Sequence, residues 1–260
     1  MGCGDPYVKS LRSLGYNVIR LPKADVRPLQ LLAKKGGNLE RIGELGTVLV
    51  AGSTIKLPVL SENVAAANVS GQRTAEIGVG LGLSLLGTII GAMGGSKIGL
   101  DVAYKNTKSV TFEFTDVLSD SVQIAQLDQY LTDADLSPFS KHVGALLEAD
   151  EIYVTTATIK STQITVDGKS SSGTTVGVDV PAVQQLVGAN VKVTSSGTGT
   201  SKLTYKGTIP LVFGFQAVRL FYEGGAYRRF ESLKGDAALE RASPPPPVLT
   251  EAAFVRLGDL

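Results

Sequence analysis

At 260 residues the chain suits one large domain or two small ones and can bury a sizeable core. Its single cysteine, Cys3, excludes an internal disulfide framework, and a net charge of +1 argues against a nucleic-acid binder held by bulk electrostatics. The first thirty residues hold no apolar run followed by a cleavage site, so no secretory signal is expected.

Met-Gly-Cys at the start resembles a myristoylation site but carries Pro6 where that motif asks for Ser or Thr. Two residues before Cys3 cannot supply a lipoprotein signal. Cys3 is left as either a leftover thiol or the site of an S-acyl thioester. Residues 1–41 carry eight basic groups (Lys9, Arg12, Arg20, Lys23, Arg27, Lys34, Lys35, Arg41) against Asp5, Asp25 and Glu40, a balance of +5. One acyl chain binds membranes only marginally, and a basic surface is the usual second signal. Tyr7, Val8, Leu11 and Leu14 fall at helical spacing and stop at Gly15, and Tyr16–Leu21 alternates like a strand. Pro28–Lys35 reads as a short helix opened by proline and closed by Gly36-Gly37.

Residues 77–96, IGVGLGLSLLGTIIGAMGGS, hold no charge. Hydropathy reads them as a membrane-crossing helix, with Gly87, Gly91, Gly95 and Gly99 on the spacing of a helix-dimerisation face. Yet Ile77, Val79, Leu81, Leu83 and Leu85 share one strand parity, opposite the small Gly78, Gly80, Gly82 and Ser84. That pattern suits a strand whose apolar face meets lipid in one state and protein in another.

Lys97–Val117 continues as a strand through VTFEFTDV. Val122–Leu131 and Ser137–Glu148 read as helices inside a segment, 113–151, with nine acidic groups against Lys141, a balance of −8. Ile152–Val166 is a long β-branched strand without Gly or Pro, Pro181–Val187 a short helix, and Val191–Tyr205 a Ser/Thr-rich strand. A tilted strand of about ten residues crosses a bilayer, and these are long enough.

Catalytic signals are few. The single His142 sits in a helical stretch, far in sequence from Cys3, and reads as a half-exposed helix residue. There is no CxxC, HExxH, GxSxG or GxxxxGK[ST] pattern, and GVGLGLS lacks the third glycine of GxGxxG. No enzyme, metal or cofactor is expected. Near the C-terminus, Pro244–Pro247 form an extended, protease-accessible spacer ahead of VLTEAAFVRLGDL. Leu249, Phe254, Leu257 and Leu260 make that tail too apolar for a solvated one, so it reads as a short docked segment.

Taken together, MGC, the basic first helix, YNVIRLPKADVRPLQLL, KIGLDVAYKNTKSVTFEFTDV, DEIYVTTATIKSTQITV and TIPLVFGFQAVRLFY resemble the bacterial gasdermins over nearly the whole chain. The resemblance implies an α+β fold, a central twisted antiparallel sheet with surrounding helices, in a pore-forming domain over 1–233. An exposed linker over 234–247 and an autoinhibitory segment over 248–260 would follow. It implies a chain that is cytoplasmic when inactive and goes to the inner membrane once a caspase-like protease, encoded nearby, removes the tail. There it would bind lipid, form a homo-oligomer, open a β-barrel pore and kill the infected cell as an anti-phage defence. On this reading Cys3 carries palmitate. Lys9, Arg12, Lys34 and Lys35 contact the membrane. Phe254 and Leu257 anchor the tail with Leu249 or Leu260, and the cut follows Leu249 or, second, Arg241. The arms are Ala75–Leu85 with Lys97–Thr115, and Ile152–Val166 with Val191–Tyr205. Two rivals stand beside it: an α-helical membrane protein oligomerising through the Gly-rich 77–99 segment, and a soluble lipid-binding adaptor.

Overall fold

The structure, a computed structural model, describes residues 6–35, 38–96, 100–104, 106–170, 179–195 and 202–232. In chain order these form α1 (Pro6–Ser13), β1 (Asn17–Lys23), β2 (Gln30–Lys35), β3 (Asn38–Glu44), α2 (Leu45–Val48), β4 (Leu49–Ala51) and β5 (Leu60–Ala65). Next come β6 (Ile77–Gly78), α3 (Val79–Ala92), α4 (Leu100–Ala103), β7 (Ser109–Phe114), β8 (Leu118–Val122), α5 (Ile124–Asp133), β9 (Ala134–Leu136) and α6 (Lys141–Glu148). The described residues end with β10 (Ile152–Lys169), α7 (Val180–Val187), β11 (Lys192–Ser195), β12 (Lys202–Glu223) and β13 (Ala226–Ser232).

Two long strands set the architecture. The β-branched run of β10 favours extended backbone, and β10 pairs antiparallel with β12 from Tyr153↔Arg219 to Asp167↔Lys202. Short strands pair along both sides of this spine. β2, β8 and β7 lie along β10, and β13, β1 and β11 along β12. With β3, β5 and β6 outermost, the sheet has eleven strands, and β4 and β9 make a separate pair. Three buried clusters result. One lies between the sheet and α5 and α6, around Leu31, Val48, Leu127, Leu147 and Val154. A second, on the other face, holds Ile19, Leu32, Tyr153 and Phe215. The largest gathers the C-terminal half of β10, the N-terminal half of β12, β7, β11 and the helices α3, α4 and α7.

Four sequence expectations are corrected here. Val191–Tyr205 is not one strand: Lys192–Ser195 form β11, which folds back antiparallel on β12 from Lys192↔Lys206 to Ser195↔Leu203. Pro28–Lys35 is not a helix. Leu29 takes φ +66 and the chain then runs as β2. Leu31 and Ala33 reach one core and Leu32 another, a period of two. Lys97–Val117 is not one strand. Leu100–Ala103 are helical, only Ser109–Phe114 are extended, and Asp116 at φ +49 breaks the run. Ala75–Leu85 is not an arm strand in this state. Only Ile77–Gly78 pair with β7, and Val79–Ala92 form α3. The reason lies further along the segment. Leu85, Leu86, Ile89, Ile90 and Met93 recur at helical spacing and are all buried against the sheet. Each such burial contributes about 1.5–3 kcal/mol, and together they outweigh the strand parity of residues 77–85.

Candidate membrane-insertion sheet

The half of the sheet farthest from α5 and α6 separates its two faces by alternation. In β7, Val110, Phe112 and Phe114 are buried, while Ser109, Thr111 and Glu113 face the other way. The register carries this separation across four strands. Phe114 is level with Ile164 and Tyr205, and Phe112 with Val166 and Leu203. On the opposite face Glu113, Thr165, Thr204 and Thr194 form one row and Thr111, Asp167 and Lys202 the next. A sheet apolar on one face and polar on the other is the pattern of a membrane barrel wall.

In this structure the apolar face is covered by protein. Leu85, Leu86, Ile89 and Ile90 of α3, Leu100 and Tyr104, and Val183 and Val187 of α7 share its cluster. α3 lies so close to β7 that a Cβ on Gly82 would stand 2.1 Å from Val110 Cγ2, a contact only glycine permits. Its far end is tied to the α7 region. Asn190 Nδ2 donates to Gly94 O at 2.9 Å, and Ser96 N to Val187 O at 2.9 Å. One polar contact lies inside, the Tyr104 and Tyr205 hydroxyls at 2.7 Å. Burial raises the pKa of both phenols, so the pair stays uncharged. Beside α3 a small apolar recess is lined by Ile89, Met93, Phe114, Leu211, Phe213 and Pro22, with Ser161 and Gln163 as its polar members.

Ion pairs hold the root of α3 to the polar face. Glu113 accepts from Arg73 at 3.1 Å and from Lys202 at 2.8 Å. Lys169 meets Glu76 at 2.7 Å, and Ser109 donates to Glu76 at 3.2 Å. Burial raises the Glu113 pKa, but Lys202 and Arg73 outweigh it and the net shift is downward. Lys169 and Ser109 lower that of Glu76. Further along β10, Lys160 and Asp120 lie 2.5 Å apart, and Asp120 also accepts from the backbone N–H of Asn63 at 2.8 Å.

The residues singled out from sequence are spread out. Lys9 is exposed and Arg12 half-buried on α1, which packs on β1 at the β12 side of the spine. Lys34 is half-buried on β2, at the β10 side. The structure does not gather them into one patch, and Arg27 and Arg41 are paired with Glu44 and Asp25. The backbone of Lys35 pairs with Asn38. His142 is exposed on α6. Cys3, Arg241, Leu249, Phe254, Leu257 and Leu260, with the 234–247 and 248–260 segments, lie outside the described residues. Glu113, Lys202 and Lys169 were missed. The alternation of VTFEF and of residues 163–169 was the signal that could have found them. Among the described residues, no three His, Cys, Asp or Glu side chains are placed to hold a metal. No helix there is long and apolar enough to cross a membrane, and α3 ends after fourteen residues. A single spanning helix over 77–96 is thereby replaced by a short one lying on the sheet.

An antiparallel sheet built on two long strands, with helices laid over it, is the gasdermin fold. A bacterial gasdermin structure from Bradyrhizobium tropiciagri matches it with a TM-score of 0.60 at 17% identity, over 88% of this chain and 91% of that one. The family itself is fixed by sequence. The family model described as the Bacterial Gasdermin Family matches residues 19–229. A gasdermin bGSDM of a Desulfuromonadales bacterium is 53% identical, over 99% of both chains. One from Lysobacter enzymogenes is 39% identical, over 94% of this chain and 90% of the other. The chain belongs to the bacterial gasdermin family.

Proposed function

We propose that this protein is an autoinhibited pore former, released when a caspase-like protease cuts between about Lys234 and Thr250 and frees the core from residues 248–260. The observation that carries this reading is the two-faced sheet, whose apolar side is hidden under helices that bear little charge. In hydrocarbon an open sheet edge leaves backbone groups unpaired at several kcal/mol each, so insertion requires a closed ring of copies. On activation α3 leaves the sheet and residues 75–85 extend, using the strand parity that the closed form leaves idle. The opened ring kills the cell, which denies an infecting phage its host.

Cys3 carries palmitate, and before activation the acyl chain is hidden in an apolar groove of the same molecule. An exposed acyl chain would carry the inactive protein to membranes early, at ~0.8 kcal/mol for each buried CH₂. Phe254 and Leu257 anchor the tail with Leu249 or Leu260, and the scissile bond follows Leu249, with Arg241 second. The deciding experiment compares the full chain with residues 1–249 for dye release from liposomes and for killing in cells. The truncated chain should leak and kill, and the full chain should do neither. Binding without leakage would favour the lipid-binding adaptor. Phe254→Asp should kill without a protease, and Cys3→Ala should weaken killing.

A further inference from the structure

On the polar face of the sheet, Lys192 of β11 and Lys206 of β12 stand directly opposite each other in register. Both are exposed. Like charges directly across an antiparallel pair are destabilising. Elsewhere on this face each cation has an acidic neighbour. Lys202 meets Glu113 and is level with Asp167, Lys169 meets Glu76, and Arg73 meets Glu113. No such pairing is seen for Lys192 or Lys206 among the described residues, and the side chain level with Lys206 on β10 is the neutral Gln163, whose Nε2 donates to Asp116 at 2.5 Å. Counting Arg73, Lys169, Lys192, Lys202 and Lys206 against Glu76, Glu113, Asp116 and Asp167, the face keeps an excess of +1 in each copy.

We propose that this polar face is the water-facing wall of the assembled pore, and that Lys192 and Lys206 make the pore favour anionic solutes. The inference rests on the pore reading given above. Alternation decides the side. Val193, Leu203 and Tyr205 belong to the apolar cluster, and the two lysines have the opposite parity on the same strands. Once the apolar face meets hydrocarbon, the lysines must face away from it. A Lys on the lipid face near the bilayer midplane would cost about 2–4 kcal/mol. Every copy in a ring adds its pair at the same height, so the excess becomes a band of positive charge, and such bands select anions. The field reaches ~10 Å into solution at 0.1 M salt and ~30 Å at 0.01 M. Preference should therefore be strongest at low salt and for bulky anions such as phosphorylated metabolites or acidic proteins, which pass close to the wall.

The test records the reversal potential of pores formed by residues 1–249 in a planar bilayer under a tenfold KCl gradient at low salt. Release from liposomes of anionic and cationic dextrans of equal size is measured alongside. The parent pore should show a chloride-to-potassium permeability ratio above unity and release the anionic dextran faster. Lys192→Glu/Lys206→Glu should bring the ratio below unity and reverse the dextran order. Lys192→Gln/Lys206→Gln, which introduces no carboxylate, should bring it to unity or just below and serves if the charge reversal fails to fold. An unchanged ratio in the variants overturns the proposal. So does loss of vesicle binding by the glutamine variant, which would assign the lysines to lipid contact. A parent chain that binds but never conducts sinks the pore reading itself, and this inference with it.

Discussion

Asp120 and Lys160 keep only 8% and 14% of their side-chain surface and lie 2.5 Å apart. Removing one partner of a buried pair leaves an uncompensated charge and costs about 3–5 kcal/mol, whereas removing both can be nearly neutral. Lys160→Met should therefore lower the urea midpoint strongly. Adding Asp120→Asn should recover most of the loss, because the amide oxygen can still accept from Asn63 N. A double variant no more stable than Lys160→Met would show that the pair does not govern this site. The sequence could show Lys160 as a polar position in an apolar strand. It could not show the partner, forty residues away on β8, because that pairing depends on sheet register. The same holds for Glu113 with Lys202. Cys3 and Phe254 were conspicuous from sequence alone, since an isolated thiol or a large apolar side chain near a terminus needs no register to be noticed.

Elements were legible where one periodicity acted alone. The parity of β10 and the helical spacing of α1, α5 and α7 each had a single reading. β2 misled because Gln-Leu-Leu-Ala-Lys-Lys is good helix former by composition. The Gly36-Gly37 pair between it and β3 was a hairpin signal of equal weight. α3 misled for a deeper reason: it carries strand parity in its first half and helical spacing in its second, and tertiary burial chose the helix. Its root should respond to pH. Glu113 and Glu76 have folded pKa values below their unfolded ones. Their contribution is thus present above the unfolded value of about 4.3 and lost as pH falls through the lowered folded values. Lys169, with its pKa raised by Glu76, acts at the other end. Its contribution is present below its unfolded value of about 10.4 and lost as pH climbs through the raised one. Melting temperature should fall between about pH 5 and pH 3, where carboxylates titrate, and fall less in Glu76→Gln/Glu113→Gln. An equal fall in parent and variant would place the acid response elsewhere.

At the scale of the molecule, the proposed function asks the sheet to serve two environments with one sequence, with α3 staying on β7 in the closed form. The fold class was legible at this scale because the long strands are coarse features. Which face each strand presents was not, because that follows from pairings between strands distant in sequence, such as Asn17 with Phe215 and Ile152 with Ala33. The contact at Gly82 offers a direct way to hold the molecule closed. A Cβ there would stand 3.6 Å from Val110 Cβ, inside the ~3.5–4.5 Å that a disulfide spans between Cβ atoms. Gly82→Cys/Val110→Cys, built with Cys3→Ser so that no third thiol competes, should oxidise to a staple pinning α3 to the sheet. If activation requires α3 to leave, residues 1–249 carrying the oxidised staple should still bind vesicles and release no dye. Reductant added to the bound protein should then start release, at a rate approaching that of the Cys3→Ser parent. Gly82→Val without the second change should instead crowd β7, at an overpacking cost of about 1–3 kcal/mol, and Val110→Ala should relieve it. Dye release that is equally fast with the staple oxidised and reduced would mean that α3 stays on β7 in the pore, and the arms would have to be sought in β10–β12 alone.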